Sequence, residues 1–90
     1  MVVKMYVIIM YDVDSKRCNK YRRICEDYLI NIQNSVFAGT ITNAKFTELN
    51  TKLNKIKIQE DSLIIYKSPS IRYLKIEGDY NNDTGMIYLE

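Results

Sequence analysis

Seven apolar or aromatic residues, Met5 to Tyr11, run without interruption and stop on the carboxylate of Asp12. So short a run, rich in Val, Ile and Tyr, predicts a strand buried on both faces at the centre of a small sheet. It falls far short of the roughly 20 apolar residues that cross a membrane. Asp12 then stands where the strand leaves the core, and a rigid strand positions a group better than a loop does. Two readings of Asp12 are open on this stretch alone. It is either a carboxylate placed for chemistry or the start of a turn or helix cap, because Asp12-Val13-Asp14-Ser15 is rich in residues that serve those ends.

Ninety residues are enough for one domain, 1–90, around one core. A chain with 47% hydrophobic and 27% charged residues is ordinary for a folded globular protein. Trp is absent, and eight Tyr and two Phe supply the large side chains. The net charge of +2 says less about partners than its distribution does. Cys18 and Cys25 stand in a chain without His, so they cannot close a typical zinc site. On a helix they would lie about 10.5 Å apart along the axis, too far for a disulfide. They read as small buried residues in a reducing compartment. Met1-Val2-Val3-Lys4-Met5 leads straight into the strand with no basic leader or cleavage site, which sets a cytoplasmic expectation.

After the strand, Asp14 or Ser15 can cap a helix. Cys18, Tyr21, Cys25 and Tyr28 recur at helical spacing, and Ile24 and Leu29 widen the stripe, which predicts an amphipathic helix over 16–29. Its outer face carries Lys16, Arg17, Lys20, Arg22 and Arg23 close to the helix N-terminus. Cations there oppose the macrodipole at about 0.3–1 kcal/mol each. One reading is a solvated face with i,i+4 pairs such as Arg22–Glu26 and Arg23–Asp27. The other is a phosphate-binding surface beside Asp12.

Two β-prone segments, 30–33 and 36–41, flank Asn34-Ser35 as a tight hairpin. Gly39 inside the second marks a bulge or a close approach. Thr42-Asn43 can cap a second helix bearing Phe46, Leu49, Leu53 and Ile56, while Lys45, Lys52, Lys55 and Lys57 decorate a solvated face. Residues 62–67 predict a second buried strand, ended by Ser68-Pro69. Residues 72–77 alternate like a half-exposed strand, stopped by Gly78. The C-terminal extension 78–90 ends in an apolar patch, Met86 to Leu89, expected to pair with a sheet edge in this chain or a partner. The order strand, helix, hairpin, helix, strand predicts a ferredoxin-like α+β sandwich: an antiparallel four-stranded sheet with two helices on one face. That fold hosts many unrelated functions.

Tyr6 to Val13, the Arg17 and Arg22-Arg23 helix, Ile32-Gln33-Asn34-Ser35-Val36-Phe37-Ala38-Gly39 and Glu60 to Tyr66 occur in that order. Together they resemble the small CRISPR-associated protein numbered two, the Cas-two family, over nearly the whole chain. The Gln-x-Ser-Val-Phe stretch is the most specific part. The resemblance implies a ferredoxin-like fold and a symmetric homodimer in which the Asp12 side chains of two subunits face each other. It also implies a C-terminal strand crossing to the partner's sheet. It further implies metal-dependent cleavage of RNA or double-stranded DNA, and a role in CRISPR adaptation beside the integrase, the Cas-one protein. Tyr11 and Asp12 match the strand-end pair, Arg17 the helix-start arginine, and Ser35 and Phe37 the hairpin positions.

Under that resemblance Asp12, one from each subunit, is the candidate catalytic residue and magnesium ligand. Lys16, Arg17, Lys20, Arg22 and Arg23 are the candidate nucleic-acid contacts. Magnesium takes oxygen ligands and keeps several waters, so one carboxylate from each of two subunits can hold it, and one chain offers Asp12 with Asp14 as a nearby possibility. Phosphodiester hydrolysis needs water activated and charge neutralised, and with no His the metal has to do both. Phe37 also reads as core or dimer interface, and Ser35 as a turn residue. Two other functions fit the same residues: a non-catalytic DNA-binding scaffold that bridges the integrase, and a toxin-type ribonuclease.

Overall fold

The computed structural model describes residues 3–70 and 77–78. The strands expected over 72–77 and 86–89 lie outside the described residues, apart from Glu77. The elements are β1 (Lys4–Asp12), a 3-10 turn (Ser15–Arg17), α1 (Cys18–Glu26), β2 (Ile30–Gln33), β3 (Val36–Thr42), α2 (Asn43–Ile56) and β4 (Ser62–Ser68). The sheet order is β2-β3-β1-β4. Each neighbouring pair is antiparallel, with Ile9 opposite Phe37 on one side and Ile65 on the other. The expected ferredoxin-like architecture is therefore present, with β1 in the interior of the sheet.

Side chains alternate along a strand, and here the alternation separates two faces. Val7, Ile9 and Tyr11 of β1 join Phe37 and Ile41 of β3 beneath the helices, where Tyr21, Cys25, Phe46, Leu49 and Leu53 complete the main core. The opposite face is thinner. Tyr6, Ile32 and Ala38 form a smaller cluster there, with Ile8, Ile30 and Val36 packed against it. The expectation of β4 as a strand buried on both faces is corrected. Leu63 and Ile65 pack on the core, but Ile64 and Tyr66 on the outer face are 46% and 54% exposed. β4 occupies the end of the sheet order, and among the described residues no helix covers its outer face, so an apolar run there does not bury both sides.

The first helix is also shorter than 16–29. A 3-10 turn precedes it, closed by the Arg17 N–H donating to the Asp14 carbonyl at 2.8 Å. It ends at Glu26, where the Asp27 and Tyr28 N–H groups bond three residues back, and β2 begins four residues on. The β-prone Ile30-Asn31-Ile32 therefore takes over where the apolar stripe alone would have run on. The start of α2 is as expected: Thr42 is the cap, its Oγ1 accepting from the Lys45 N–H at 3.1 Å. The hairpin turn needs Asn34 at φ 39°, a conformation that asparagine tolerates. Gly39 is a close approach, since a Cβ there would meet Leu29 Cδ2 at 3.3 Å.

The helices are antiparallel neighbours. Arg17, before α1, reaches the carbonyl of Ile56 at the end of α2. Tyr28, after α1, donates to Glu48 Oε1 at 3.2 Å within α2. No helix among the described residues is long and apolar enough to cross a membrane.

Candidate functional site

Asp12 closes β1 opposite Ser62, the first residue of β4. It is exposed, and its place in the alternation puts it on the outer face with Tyr6, Ile8 and Met10. Asp14, also exposed, precedes the 3-10 turn and makes no side-chain capping bond. The carboxylate oxygens suit a hard cation such as magnesium. Among the described residues, however, no three His, Cys, Asp or Glu side chains gather to hold a metal ion. The described residues of one chain thus supply the right kind of donor in too small a number.

Behind Asp12 lies a polar cluster that local sequence patterns did not reveal. Asp61 is buried, 6% exposed, at the entrance to β4. Its Oδ2 accepts from Arg17 Nη2 at 2.9 Å, from the Tyr21 hydroxyl at 2.6 Å and from the Ile58 N–H at 3.2 Å. Arg17 Nε donates to both of its oxygens at 3.2 Å. These donors, Arg17 first, hold the Asp61 carboxyl down to about 2 although burial works the other way. Burial, and then the Asp61 carboxylate, pushes the Tyr21 hydroxyl up to about 12. Arg17 is thereby set apart from the other candidate phosphate contacts. Its guanidinium is committed to Asp61 and to the Ile56 carbonyl, and it fastens the turn after Asp12 to the start of β4.

Tyr11 and Phe37 face inward, and Ser35 is half-buried in the hairpin turn. The Tyr11 ring stacks on Tyr21 at 5.0 Å and on Phe37 at 6.2 Å between centroids. Burial raises the Tyr11 hydroxyl above its ordinary value, partly offset by a hydrogen bond with Ser35. The Ser35 carbonyl accepts from the Tyr11 N–H at 3.1 Å, so the hairpin turn is tied to the strand end beside Asp12. Phe37 is fully buried, which makes it core rather than a platform for a base.

Lys16, Lys20, Arg22 and Arg23 are exposed. Lys20 and Arg23, three residues apart, share a face of α1, with Lys16 before them on the 3-10 turn. Arg22 is partly neutralised by Glu26 at 3.2 Å, the pairing expected from the spacing. A cavity of about 340 Å³ lies at the opposite end of the sheet, lined by Lys4, Asp27, Tyr28, Thr40, Ile41, Thr42 and Lys45. It contains none of the residues nominated from the sequence.

Comparison with known proteins gives a consistent result. Residues 5–76 match the family model described as CRISPR associated protein Cas2. The chain is 44% identical over 87 residues to the CRISPR-associated endoribonuclease Cas2 of Methanosarcina acetivorans, covering 92% of this chain and 99% of that one. It is 35% identical over 79 residues to the protein of the same name from Thermococcus kodakarensis, covering 87% and 93%. Among solved structures, a Cas2 crystal structure aligns with a TM-score of 0.79 at 33% identity, over 90% of this chain and 92% of the other. Streptococcus pyogenes Cas2 aligns with a TM-score of 0.63 at 32% identity, over 68% and 82%. With the strand-end Asp12, the Arg17 turn and the hairpin at Ser35 all inside the matched segment, this chain belongs to the CRISPR-associated Cas2 family.

Proposed function

We propose that this protein is a nucleic-acid-binding homodimer of the CRISPR adaptation machinery that cleaves RNA or double-stranded DNA with magnesium at a site shared by two Asp12 carboxylates. The supporting observation is the position of Asp12: exposed, on the outer sheet face, together with the uncovered Ile64 and Tyr66. Face-to-face packing of two such sheets buries the apolar side chains and brings the two strand ends toward each other. One Asp12 from each subunit then holds the cation, whose chemistry is to activate water and neutralise phosphate charge. The protein's own part is to fix Asp12 at a rigid strand end through the Arg17–Asp61 clamp and the Ser35 tie, and to bind backbone through Lys16, Lys20 and Arg23. The names of the relatives, endoribonucleases, support hydrolysis of the phosphodiester bond. The integrase, the Cas-one protein, is the expected partner of the dimer.

A second reading is favoured by the lack of a three-ligand cluster among the described residues: a scaffold that holds DNA without cutting it. A cleavage assay on single-stranded RNA and duplex DNA, with magnesium titrated and Asp12→Asn alongside, separates the two. Magnesium-dependent cleavage that vanishes in the variant supports the nuclease. Undiminished binding with no cleavage by either protein supports the scaffold.

A further inference from the structure

We propose that Lys55 and Lys57, at the end of α2, join the cations of α1 in one surface for a tract of nucleic-acid backbone. The inference rests on the reading of Lys20 and its neighbours as backbone contacts and extends it to a second helix. In the sequence these two lysines look like ordinary solvation of α2. The fold gives them another setting. Ile56, between them, offers its carbonyl to the guanidinium of Arg17, which sits between Lys16 and the first turn of α1. The antiparallel arrangement therefore brings the lysine-rich end of α2 beside the lysine-rich start of α1.

Charge compensation is uneven along this helical layer. On α2, Lys45 in the first turn pairs with Glu48 at 3.6 Å, and Lys52, one turn before Ile56, lies 5.1 Å over the Tyr28 ring. On α1, Arg22 is held by Glu26. Lys16, Lys20, Arg23, Lys55 and Lys57 are exposed, and among the described residues none of them takes part in an ion pair. The acids along these segments are Asp61, saturated by its own donors, the exposed Asp12, Asp14 and Glu60, and, beyond Arg23, the exposed Asp27 and Glu26, which is held by Arg22. Lys16, Lys20, Lys55 and Lys57 thus place unpaired positive charge at the end of the layer that carries the Asp12 turn, with Arg23 farther along, in the last turn of α1.

The dimensions favour an extended polyanion. Packed helices lie about 8–10 Å apart, so cations on both span more than one phosphate. The chemistry favours backbone over bases. Among the described residues the exposed aromatic, Tyr66, lies on the other face of the sheet, and the half-buried Tyr28 ring on the helical side is covered by Lys52. Binding here is therefore tolerant of sequence and strongly dependent on salt.

The test is the affinity of the full chain for a short mixed-sequence DNA duplex across a salt series. Each phosphate contact contributes about 0.9 to the slope of log affinity against log salt. The double variant Lys55→Gln/Lys57→Gln is expected to flatten the slope by nearly two. Between about 50 and 200 mM salt that is roughly a tenfold smaller loss of affinity. Lys45→Gln, at the paired end, is expected to leave the slope unchanged, and Lys20→Gln to lower it by about 0.9. A double variant with the wild-type slope beside a flattened Lys20→Gln overturns the α2 surface and leaves the α1 reading standing. No change in any variant overturns both. Competition by poly-glutamate as effective as by DNA, lost in the double variant, assigns the surface to an acidic protein and overturns the proposal.

Discussion

Oδ2 of Asp61 lies 2.9 Å from Nη2 of Arg17, so a carboxylate at the entrance to β4 fixes the turn that follows Asp12. The two residues are 44 apart in the chain. The contact joins three elements at one point, because Tyr21 of α1 and the Ile58 N–H after α2 bond to the same oxygen. This cluster ties the turn after Asp12 to both helices and to the start of β4.

The clamp carries a pH signature. Asp61 is held down to about 2 in the folded protein, against 3.8 for a free side chain. A group depressed on folding contributes stability above its unfolded value and loses it as pH falls through the folded one. The melting temperature is expected to fall between about pH 5 and pH 2. Asp61→Asn should melt lower at neutral pH and depend less on acid. Thermal melts of both proteins across that range check this, and parallel pH curves would exclude the clamp as their origin.

Asp12 makes no comparable contribution to the fold. It is exposed, so Asp12→Asn is expected to change stability by no more than about 0.5 kcal/mol. Under the proposed function the same change abolishes magnesium-dependent cleavage and leaves nucleic-acid affinity unchanged or slightly higher, since a negative charge leaves the phosphate path. Parallel melts, cleavage assays and binding isotherms measure the three effects.

The outer face gives a further contrast. Ile64 and Tyr66 are about half exposed in the single chain, so Tyr66→Asp is expected to cost the monomer fold about 0.5 kcal/mol or less. If two sheets meet on this face, the variant sediments as a monomer at concentrations where the wild type is a dimer. An unshifted sedimentation coefficient would place the interface elsewhere.

Phe37 belongs to the core. Phe37→Ala is expected to destabilise the protein by about 3–5 kcal/mol, from lost burial and the cavity left behind. The salt slope of DNA binding should be unchanged in the fraction that stays folded. Denaturant titration and the salt series measure the two separately.

The thiols should differ. Burial pushes Cys25 up to about 12, so almost none of it is thiolate at neutral pH, whereas Cys18 is only half buried. A thiol-reactive dye is expected to label Cys18 first and Cys25 only after unfolding.

Much of this fold was legible because local chemistry and packing agree. Thr42 caps α2 as its side chain predicts, and Phe46, Leu49 and Leu53 turn inward as their spacing requires. The unbroken apolar run marked β1 as interior, and the hairpin followed from Asn34-Ser35. Where the reading failed, a longer-range circumstance decided. The apolar residues of 62–66 resemble those of β1, but a strand's neighbours determine whether its second face is covered. The stripe through Tyr28 and Leu29 continued past the helix because both residues pack on the core from outside it. Asp61 stood in a polar break with no local mark of its importance. Its partner lies a whole helix, a hairpin and another helix away, and only the closed fold puts the two in contact. For the same reason Arg17 looked like its basic neighbours, although its charge is already spoken for.

The alternation along β1 has one last consequence, which concerns parity. Asp12 is an odd number of steps from Tyr11, Ile9 and Val7, and an even number from Tyr6, Ile8 and Met10. Loss or gain of a single residue between Val7 and Asp12 would leave the carboxylate to compete for the helix side, while a change of two would keep its direction. The aim of the strand-end carboxylate is thus encoded in the count of residues that precede it along the strand.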